Sequence, residues 1–461
     1  MRKFLKPEEV LYFCGEISKK SMLIEFKVAN YRSIGEEQVL TLIPNTAYDD
    51  YPDNIITEGA YNALNACAIY GNNGSGKSNL LSAIAMLDKL IHLSARTAST
   101  TNLPYDPFLL RKGYEENPTK FEITFIVEGI RYKYGIEFFQ KHISREWLYR
   151  KGKGREVLLF GREDDIIEPT SSLKANKTVL DAAIEATRSN GLFLSTCDML
   201  NVAEARIIMK WFRDLNSLNG IYTEAQEIRT VKMWDKDDMK EVISDYMLSL
   251  NLGITALDIS TKDFDESDLP QDLSDSVRRE LMNTLKDKQS YSVATTHKIY
   301  DKDGNETPDR LSWNLDERES EGTIKAFHLS GPIISALTTG GVLIIDEIEA
   351  KMHPIITLNT IELFLDKKTN PRGAQLIFAT HDTNLLTFSR LRRDQIFFTE
   401  KNVWESTELY SLSGIVHPEN NQKERLDTNK EKRYLEGRYG AIPYLSTPDT
   451  LINTIRNGKE G

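Results

Sequence analysis

The chain has 461 residues, of which 40% are hydrophobic and 28% are charged, a composition typical of a globular protein with a large buried core. Its formal net charge of −11 argues against a surface that coats nucleic acid nonspecifically, because such binding depends on Lys and Arg neutralising phosphates. No apolar run approaches the roughly 20 residues that a membrane span needs. Its three cysteines are too few for a disulfide framework. We therefore expect a cytoplasmic protein with no membrane partner.

A glycine-rich segment near the start lies between a predicted strand and a predicted helix. We expect residues 1–21 to be an N-terminal extension, after which residues 22–28 alternate between apolar and polar as in a strand. A short apolar strand over 66–70 leads directly into the glycine-rich segment 71–78, and apolar residues then recur at helical spacing over 79–93. This strand–loop–helix order is the setting in which glycine-rich loops bind phosphate groups.

The loop itself fits the pattern Gly-x-x-x-x-Gly-Lys-Ser/Thr of a P-loop. Its glycines allow backbone N–H groups to surround phosphates, and the following helix directs the positive end of its dipole at them. Lys77 is the expected contact of the β- and γ-phosphates, and the Ser78 hydroxyl is the expected Mg²⁺ ligand. We therefore predict ATP and Mg²⁺ as cofactors. The candidate nucleotide-binding residues of this segment are Asn72, Asn73, Gly74, Ser75, Gly76, Lys77, Ser78 and Asn79.

The middle of the chain carries two hairpin patterns with a helical stretch between them. Residues 121–127 and 132–138 alternate with period two on either side of a turn, which predicts an antiparallel hairpin. Residues 178–250 are predicted to be mostly helical. A second hairpin is predicted from 291–300 and 310–315.

Two carboxylates follow the next predicted buried strand. The segment 341–345 is apolar and leads into Asp346 and Glu347, which places both acids at the C-terminal end of a strand, where α/β proteins bind ligands. We expect Asp346 to hold the Mg²⁺ shell and Glu347 to polarise the attacking water, because phosphoryl transfer depends on positioning and charge stabilisation. A strand that merely ends in acidic residues is the alternative, and the P-loop upstream argues against it.

Two further features belong to the same set. The apolar strand 375–379 leads to His381, a histidine able to contact the γ-phosphate and report its loss. Upstream, Ser320 and Gly322 open a predicted helix and expose N–H groups to an anion, although a simple helix cap is the alternative. The catalytic candidates are therefore Lys77, Glu347 and His381, and the metal-ligand candidates are Ser78 and Asp346.

In this order the motifs resemble those of ABC-type ATPases of the SMC, RecF and OLD group. Residues 26–33 resemble the first strand of that group, in which Arg32 lies near the nucleotide, and residues 346–354 resemble its D-loop region. The resemblance implies an α/β fold, namely an ABC-type P-loop ATPase domain with a mixed sheet, an antiparallel β-subdomain and an inserted, mainly helical subdomain. It also implies that Ser320 and Gly322 contact ATP bound by another copy. We therefore expect the chain to pair with itself, as a homodimer or a higher homo-oligomer.

A narrower resemblance concerns residues 107–110, 392–398 and 434–443. These are similar to segments in the ATPase halves of bacterial two-component anti-phage, abortive-infection pairs. That resemblance implies a sensor or regulatory ATPase that responds to a phage-derived trigger and controls a separate effector, such as a Toprim-like or RloB-like nuclease or another toxin. The alternative is a DNA-repair ATPase similar to RecF or SMC, with DNA itself as a partner. Gln140 is the candidate for the Q-loop glutamine of the ABC group.

These patterns divide the chain into predicted parts. They are an N-terminal extension (1–21), the first half of the ATPase domain with the P-loop (22–200), a helical and hairpin insertion (201–309), the second half of the ATPase domain (310–415) and a C-terminal segment (416–461). In the last part, interleaved basic and acidic residues indicate either a solvated face or a nucleic-acid patch. Its tyrosines Tyr434, Tyr439 and Tyr444 indicate either partner docking or packing on the core.

Overall fold

The computed structural model describes residues 19–236, 238–263, 269, 274–285, 289–417, 422–425 and 428–443. Residues 1–18 of the predicted N-terminal extension, and 444–461 of the predicted C-terminal segment, therefore lie outside the described residues. No helix in the described ranges combines the length and the apolar character that crossing a bilayer requires.

Strands outnumber helices and come from all parts of the chain. The strands are β1 (Met22–Ala29), β2 (Gln38–Thr41), β3 (Ile55–Glu58), β4 (Tyr61–Leu64), β5 (Ala66–Gly71), β6 (Thr119–Val127), β7 (Ile130–Phe138), β8 (Ile143–Lys151), β9 (Val157–Glu163), β10 (Ile166–Pro169), β11 (Leu215–Asn219), β12 (Ile254–Asp263), β13 (Gln289–Tyr300), β14 (Glu306–Asn314), β15 (Val342–Asp346), β16 (Gln375–Ala379), β17 (Ile396–Lys401), β18 (Thr407–Ser411), β19 (Val416–His417) and β20 (Gln422–Lys423). The helices are α1 (Lys77–Leu93), α2 (Lys177–Ala186), α3 (Phe193–Met199), α4 (Ala203–Arg213), α5 (Glu224–Trp234), α6 (Met239–Ser249), α7 (Asp275–Leu285), α8 (Leu315–Arg318), α9 (Glu321–Thr339), α10 (Pro354–Leu365), α11 (Leu385–Phe388) and α12 (Lys430–Leu435).

One sheet gathers strands from distant parts of the chain. Its order is β11-β15-β16-β5-β17-β18, in which β11 to β17 run parallel and β18 closes the edge antiparallel. The strands β5, β15 and β16 are apolar and almost entirely buried, as expected of parallel strands covered on both faces. Their carboxyl ends at Gly71, Asp346 and Ala379 therefore lie at one edge of the sheet. The predicted mixed sheet is confirmed.

The second large sheet is entirely antiparallel. Its order is β10-β9-β8-β7-β6-β1-β2, and each neighbouring pair runs in opposite directions. The hairpin of β6 and β7 turns at Glu128 and Gly129, both of which have positive φ. This sheet confirms the predicted first hairpin and the predicted antiparallel β-subdomain.

The helix α1 lies between the two large sheets and contacts strands of both. The residues predicted to share one apolar face are all at most 2% exposed; they are Leu80, Leu81, Ile84, Leu87 and Ile91. Burying one side chain of this size contributes roughly 2 kcal/mol to folding. This face therefore holds the helix that follows the P-loop firmly against the core.

The region predicted as mostly helical also contains a strand that the sequence did not indicate. The strand β11 pairs with β15 along its whole length, so it belongs to the main sheet although it lies within 201–309, the predicted insertion. Its sequence, Leu-Asn-Ser-Leu-Asn, has little apolar character, and the neighbouring β15 rather than intrinsic propensity makes it a strand. The range also contains α4, whose apolar residues join the main core, and α7. The helices α5 and α6 and the sheet β12-β13-β14, which ends at Asn314, share a core with α9. The pair β13–β14 confirms the second predicted hairpin.

The C-terminal segment packs on the main sheet through its tyrosines. Tyr434 and Tyr439 are buried, and both rings lie against Phe398 of β17. Tyr434 also meets the ring of Tyr70 edge-on. Packing on the core therefore accounts for these two tyrosines, whereas Tyr444 lies outside the described residues.

A buried glutamine links the two large sheets. Gln375 begins β16 and is fully buried. Its Oε1 accepts a hydrogen bond from the N–H of Leu23 in β1 at 2.6 Å, and its Nε2 donates to the carbonyl oxygens of Leu23 and Leu64 at 3.0 and 2.8 Å. The side chain thus satisfies backbone groups that have no strand partner at this junction, and buried backbone groups need such partners.

Replacing Gln375 by leucine keeps a similar volume but leaves one N–H group and two carbonyl oxygens without partners. We expect the free energy of unfolding to fall by about 3 kcal/mol or more, measured by urea denaturation. Gln140→Leu, in an exposed turn, is the matched control and should change stability by less than about 0.5 kcal/mol. Equal stability of the two variants would contradict the linking role.

Candidate nucleotide-binding site

The P-loop connects β5 to α1 and leaves the first turn of the helix open. Gly76 stands at the N-cap with a φ of 106°, and no side chain caps the helix. A Cβ atom at this position would overlap the side chain of Thr407, so only glycine fits. The N–H groups of the first turn and the positive end of the helix dipole therefore face the loop, as phosphate binding requires.

Two threonines of the β17–β18 hairpin hold the P-loop in place, and no sequence motif pointed to them. The hydroxyls of Ser75 and Thr399 lie 2.7 Å apart, and Thr407 Oγ1 donates to the carbonyl oxygen of Ser75 at 2.8 Å. Thr407 also lies 2.9 Å from the hydroxyl of Ser33, which accepts a hydrogen bond from the Asn79 side chain at 2.7 Å. The loop conformation is thus fixed by side chains from both ends of the chain.

Lys77 is almost completely buried and turns back on the loop. It is 5% exposed, and its Nζ donates to the carbonyl oxygens of Gly71 and Asn72 at 2.8 and 3.1 Å. Burial lowers the pKa of Lys77, and the negative charges of Asp346 and Glu347 partly offset that shift. The ammonium group therefore lies within electrostatic reach of the acidic strand end. Phosphate oxygens can replace the two carbonyl oxygens that it now contacts.

The carboxylates of Asp346 and Glu347 end β15 in a strained turn. Glu347 has a φ of 53°, a left-handed conformation that is uncommon for a residue with a side chain. Asp346 Oδ1 is buried and has no hydrogen-bond partner among the described residues, and neither has Asn72 Oδ1. A buried carboxylate oxygen without a donor is unfavourable unless a cation approaches it. The donor set therefore fits Mg²⁺, which prefers oxygen ligands.

The end of β11 supports the acidic turn from behind. Asn219 pairs with Asp346 across the two strands, and the N–H of Gly220 donates to the carbonyl oxygen of Asp346 at 2.7 Å. A Cβ atom at Gly220 would overlap the carbonyl oxygen of Glu347. Glycine is therefore required here by close approach. Sequence reasoning missed Gly220 because its role depends on the pairing of β11.

His381 follows β16 and is positioned by Glu349. The N–H of His381 donates to Glu349 Oε1 at 2.6 Å, while the other oxygen of this carboxylate is buried without a partner in the described part of the chain. Partial burial, followed by the positive charge of Lys77, lowers the pKa of His381, although acidic groups nearby oppose the shift. The imidazole is therefore neutral near pH 7, with one nitrogen that donates and one that accepts.

The turn of Ser320 and Gly322 opens α9. Ser320 is the N-cap, and its Oγ accepts a hydrogen bond from the N–H of Thr323 at 3.2 Å, so the predicted helix cap is present. Glu321 forms an ion pair with Lys351 at 2.6 Å, which ties the turn to the loop that follows Glu347. Ser320 and Glu321 are exposed. The turn is therefore accessible to another molecule.

Lys325, further along α9, brings a buried charge to the loop that follows β15. Its Nζ donates to the carbonyl oxygens of Ile348 and Ala350 at 3.0 and 2.6 Å, and it lies 3.5 Å from that of Glu347. Burial lowers the pKa of Lys325 to about 8, although the charges of Glu349 and Glu347 oppose the shift. Lys325 was not a sequence candidate, yet it connects the Ser320 helix directly to the acidic turn.

Arg32 lies against α1. It has a φ of 52°, its Nε donates to Asp106 at 3.1 Å, and its NH1 donates to the hydroxyl of Ser82 at 3.3 Å. Its role near a nucleotide stays a prediction. Gln140 lies in the turn between β7 and β8, where its carbonyl oxygen accepts from the N–H of Leu103, and its Q-loop role also stays a prediction.

The structure therefore brings the P-loop candidates and the two later strand ends together. Lys77, Asp346, Glu347 and His381 interact electrostatically at one edge of the main sheet. In contrast, within the described residues no hydrogen bond joins Ser320 or Gly322 to the P-loop. Asn73, Gly74 and Ser78 are exposed at the open side of the loop.

The part of the chain that forms this site matches a known protein family. The family is described as "AAA domain, putative AbiEii toxin, Type IV TA system", and the match covers residues 67–387. The chain belongs to this AAA domain family. The matched range contains the P-loop, the Ser320 turn, the acidic strand end and His381, whereas Arg32 lies outside it. Family membership and the P-loop geometry together indicate a protein of the ATP-binding ATPase type.

Among solved structures, the chain is similar to the SMC head domain from Thermotoga maritima, with 12% identity and a TM-score of 0.39 over 84% of this chain and 98% of that one. It is also similar to the recombination mediator protein RecF with ATPrS, with 14% identity and a TM-score of 0.32 over 86% of this chain and 100% of that one. At these scores the similarity carries no conclusion about function. None of the curated proteins compared with the chain matches it.

Gly220→Ala tests the support that β11 gives to the acidic turn. The added methyl group displaces the backbone of Glu347, so we expect ATP turnover to fall at least about tenfold, by the sensitivity of catalysis to small misplacements. ATP affinity should change little, because the P-loop is untouched. Gly152→Ala, at an exposed turn with open space around it, is the control and should behave as wild type. Phosphate release and nucleotide titration measure both quantities, and full turnover in Gly220→Ala would refute the close approach.

Lys325 predicts a pH dependence of stability. The pKa of Lys325 is near 10.5 in the unfolded chain and near 8 in the folded one. Below pH 8 the side chain is charged in both states, and its burial lowers the free energy of unfolding. Between pH 8 and 10.5 the folded state loses the proton first, so this free energy rises with pH. Over that range wild type should gain roughly 3 kcal/mol of unfolding free energy relative to Lys325→Met. Urea denaturation at several pH values measures the difference. The exposed Lys302→Met variant should follow wild type, and a parallel profile for Lys325→Met would show the assignment to be wrong.

Proposed function

We propose that the chain binds ATP·Mg²⁺, hydrolyses it, and acts as the sensor or regulatory subunit of a bacterial anti-phage defence system that controls a separate effector. The observation that supports the ATPase part is the convergence of Lys77, Glu347 and His381 at one sheet edge, within electrostatic reach of one another. Membership of the AAA domain family supports the same activity.

Each residue has a defined task in this proposal. Lys77 exchanges its two loop carbonyls for the β- and γ-phosphates. Ser78 and Asp346 hold Mg²⁺, which when bound neutralises charge on the phosphates. Glu347 orients the attacking water from the end of β15, and the neutral imidazole of His381 donates a hydrogen bond to the γ-phosphate.

We further propose that the second wall of each site comes from another copy of the chain. Ser320 is exposed and Gly322 is half-buried at the N-terminal end of α9, where the N–H groups of the first turn favour a phosphate. A symmetric dimer would let each copy present this turn to the ATP of the other. Lys325 would then transmit the contact to Glu347, because it binds the carbonyl oxygens of the intervening loop.

The regulatory role rests on two supports. The family description names a toxin and a type IV toxin–antitoxin system. The segments 107–110, 392–398 and 434–443 resemble the ATPase halves of anti-phage pairs. We expect the effector to be a Toprim-like or RloB-like nuclease, or another toxin, and the trigger to be a phage-derived molecule.

An exposed apolar surface is suited to a protein partner. Leu109 and Leu110 are 70% and 64% exposed, and they adjoin Arg111, whose guanidinium lies 5.4 Å from the ring of Trp404. Val403, beside that tryptophan, is 89% exposed. Exposed apolar groups that cluster in this way are typical of interaction sites.

Direct action on DNA is the competing function. The net charge of −11 disfavours it, and two arginines of the C-terminal segment are paired with acidic side chains. Arg433 pairs with Glu424 at 2.9 Å, and Arg438 pairs with Glu436 at 2.9 Å. These pairs support the solvated-face interpretation of the segment.

Glu347→Gln should retain ATP and accumulate a closed assembly, because the variant keeps the binding residues but cannot orient the water. Lys77→Ala should lose nucleotide binding. We would purify tagged wild type and both variants from the native host, identify co-purifying proteins by mass spectrometry, and measure bound nucleotide and particle size. Glu116→Gln, at an exposed position, is the matched control and should resemble wild type.

Recovery of a nuclease or toxin whose retention differs between Glu347→Gln and Lys77→Ala would support the regulatory proposal. Recovery of DNA and recombination proteins alone would favour the RecF-like function. Unchanged ATP turnover in both variants would refute the site assignment itself.

A further inference from the structure

Away from the nucleotide site, three side chains of metal-ligand type converge between α5, α8 and α9. The ligand atoms of Glu227, Asp316 and His328 all lie within 4.8 Å of one another. His328 is buried, Glu227 is half-buried and Asp316 is exposed, so the cluster opens to solvent on one side. His328 lies on the same helix as Gly322, which places the cluster behind the turn proposed to contact a second nucleotide.

The imidazole of His328 is the observation that points to a ligand. His328 is 4% exposed, and its Nδ1 lies 3.0 Å from the hydroxyl of Thr223. Its Nε2 is buried, has no hydrogen-bond partner among the described residues, and lies 3.8 Å from Glu227 Oε2. That distance is too long for a hydrogen bond. With Nδ1 donating to Thr223, Nε2 directs a lone pair at the carboxylates, and a cation bound between these three acceptors would satisfy all of them.

The charges of the cluster agree with this geometry. Burial lowers the pKa of His328, although the charge of Asp316 opposes the shift. Burial is the main cause that raises the pKa of Glu227, and the negative charge of Asp316, which repels this carboxylate, is the second. A divalent cation between them would remove the repulsion. The hydroxyl of Tyr291 donates to Glu227 at 3.2 Å and holds this carboxylate in place.

We propose that Glu227, Asp316 and His328 form a divalent transition-metal site, suited to Zn²⁺, that ties α5 and α8 to α9. One imidazole nitrogen and two carboxylate oxygens are donors that zinc takes in proteins, and a water completes four-coordination. Tetrahedral ligands at about 2.1 Å from zinc lie roughly 3.4 Å apart. The three groups must therefore approach slightly, and the exposed Asp316 has room to do so. Thr223 acts as the outer partner that orients the imidazole.

The test uses the full chain, freed of metal with a chelator and titrated with Co²⁺ by visible absorption and with Zn²⁺ by calorimetry. Wild type should bind one equivalent at this site. Asp316→Asn should lower the affinity for the metal at least about tenfold. Losing a residue that only orients a ligand already lowers metal affinity about tenfold, and losing a ligand should lower it by at least as much. Glu317→Gln, the exposed neighbour on the same short helix, should bind as wild type. Both positions are exposed, so neither change should disturb folding.

Asp346→Asn separates this site from the nucleotide-associated metal and should leave Zn²⁺ binding in the absence of ATP unchanged. Zn²⁺ should also raise the melting temperature of wild type and Glu317→Gln, but not that of Asp316→Asn. Equal affinities for Asp316→Asn and Glu317→Gln would overturn the proposal. Loss of binding in Asp346→Asn would also overturn it, because the metal would then belong to the nucleotide site.

Discussion

The parallel pairing of β5 with β16 and of β16 with β15 is the constraint on which the nucleotide site depends. Residues far apart in the chain, Lys77, Asp346 and His381, meet because their strands end at the same edge of one sheet. The register pairs Phe378 with both Ile345 and Ala68, and all three are fully buried. A slip of one residue would turn buried side chains to the other face and separate the acids from the lysine. Core packing therefore sets the geometry of the polar groups.

Around that edge, the acidic turn is held from two sides. The N–H of Gly220 binds it through β11, and the buried amine of Lys325 binds it through α9. The left-handed conformation of Glu347 costs about 1–3 kcal/mol and persists only because its surroundings fix it. A displacement of α9 cannot leave this turn unchanged, since the same carbonyl groups would lose their donor. The exposed Ser320 turn and the half-buried acidic turn of Asp346 and Glu347 are therefore coupled through Lys325.

Local sequence rules predicted those elements whose sequence pattern lies within one short segment. The P-loop, the amphipathic helix α1 and both hairpins were predicted correctly, because glycine placement and apolar periodicity act within a short segment. The strand β11, Gly220 and Gln375 were missed, because each acquires its role from a partner distant in sequence. Thr399 and Thr407, which hold the P-loop, were missed for the same reason.

The segment 392–398 is the opposite case, because its sequence pattern suggested a function whereas its residues have a role in the fold. It resembled anti-phage ATPases in sequence, yet Arg392 is fully buried, binds Asp394 and the carbonyl oxygen of Asp50, and serves the fold. The buried guanidinium needs acceptors for its five N–H groups, and these contacts within the fold account for Arg392 without any ligand. Its burial became visible only when the packing of distant segments was known.

The charges that remain at the sheet edge explain why the site suits a nucleotide with its metal. Three carboxylates, those of Asp346, Glu347 and Glu349, interact with the ammonium groups of Lys77 and Lys325, and the lowered pKa of His381 withholds a third positive charge. Free triphosphate would meet net repulsion there, whereas a divalent cation shared with Asp346 reverses the local balance. Among the buried oxygens without a hydrogen-bond partner in the described residues, three lie in or beside this site, on Asp346, Glu349 and Asn72. Two of these three oxygens belong to carboxylates, which can accept a contact from a cation or from its bound water. These unsatisfied atoms therefore lie where a cation is expected to bind.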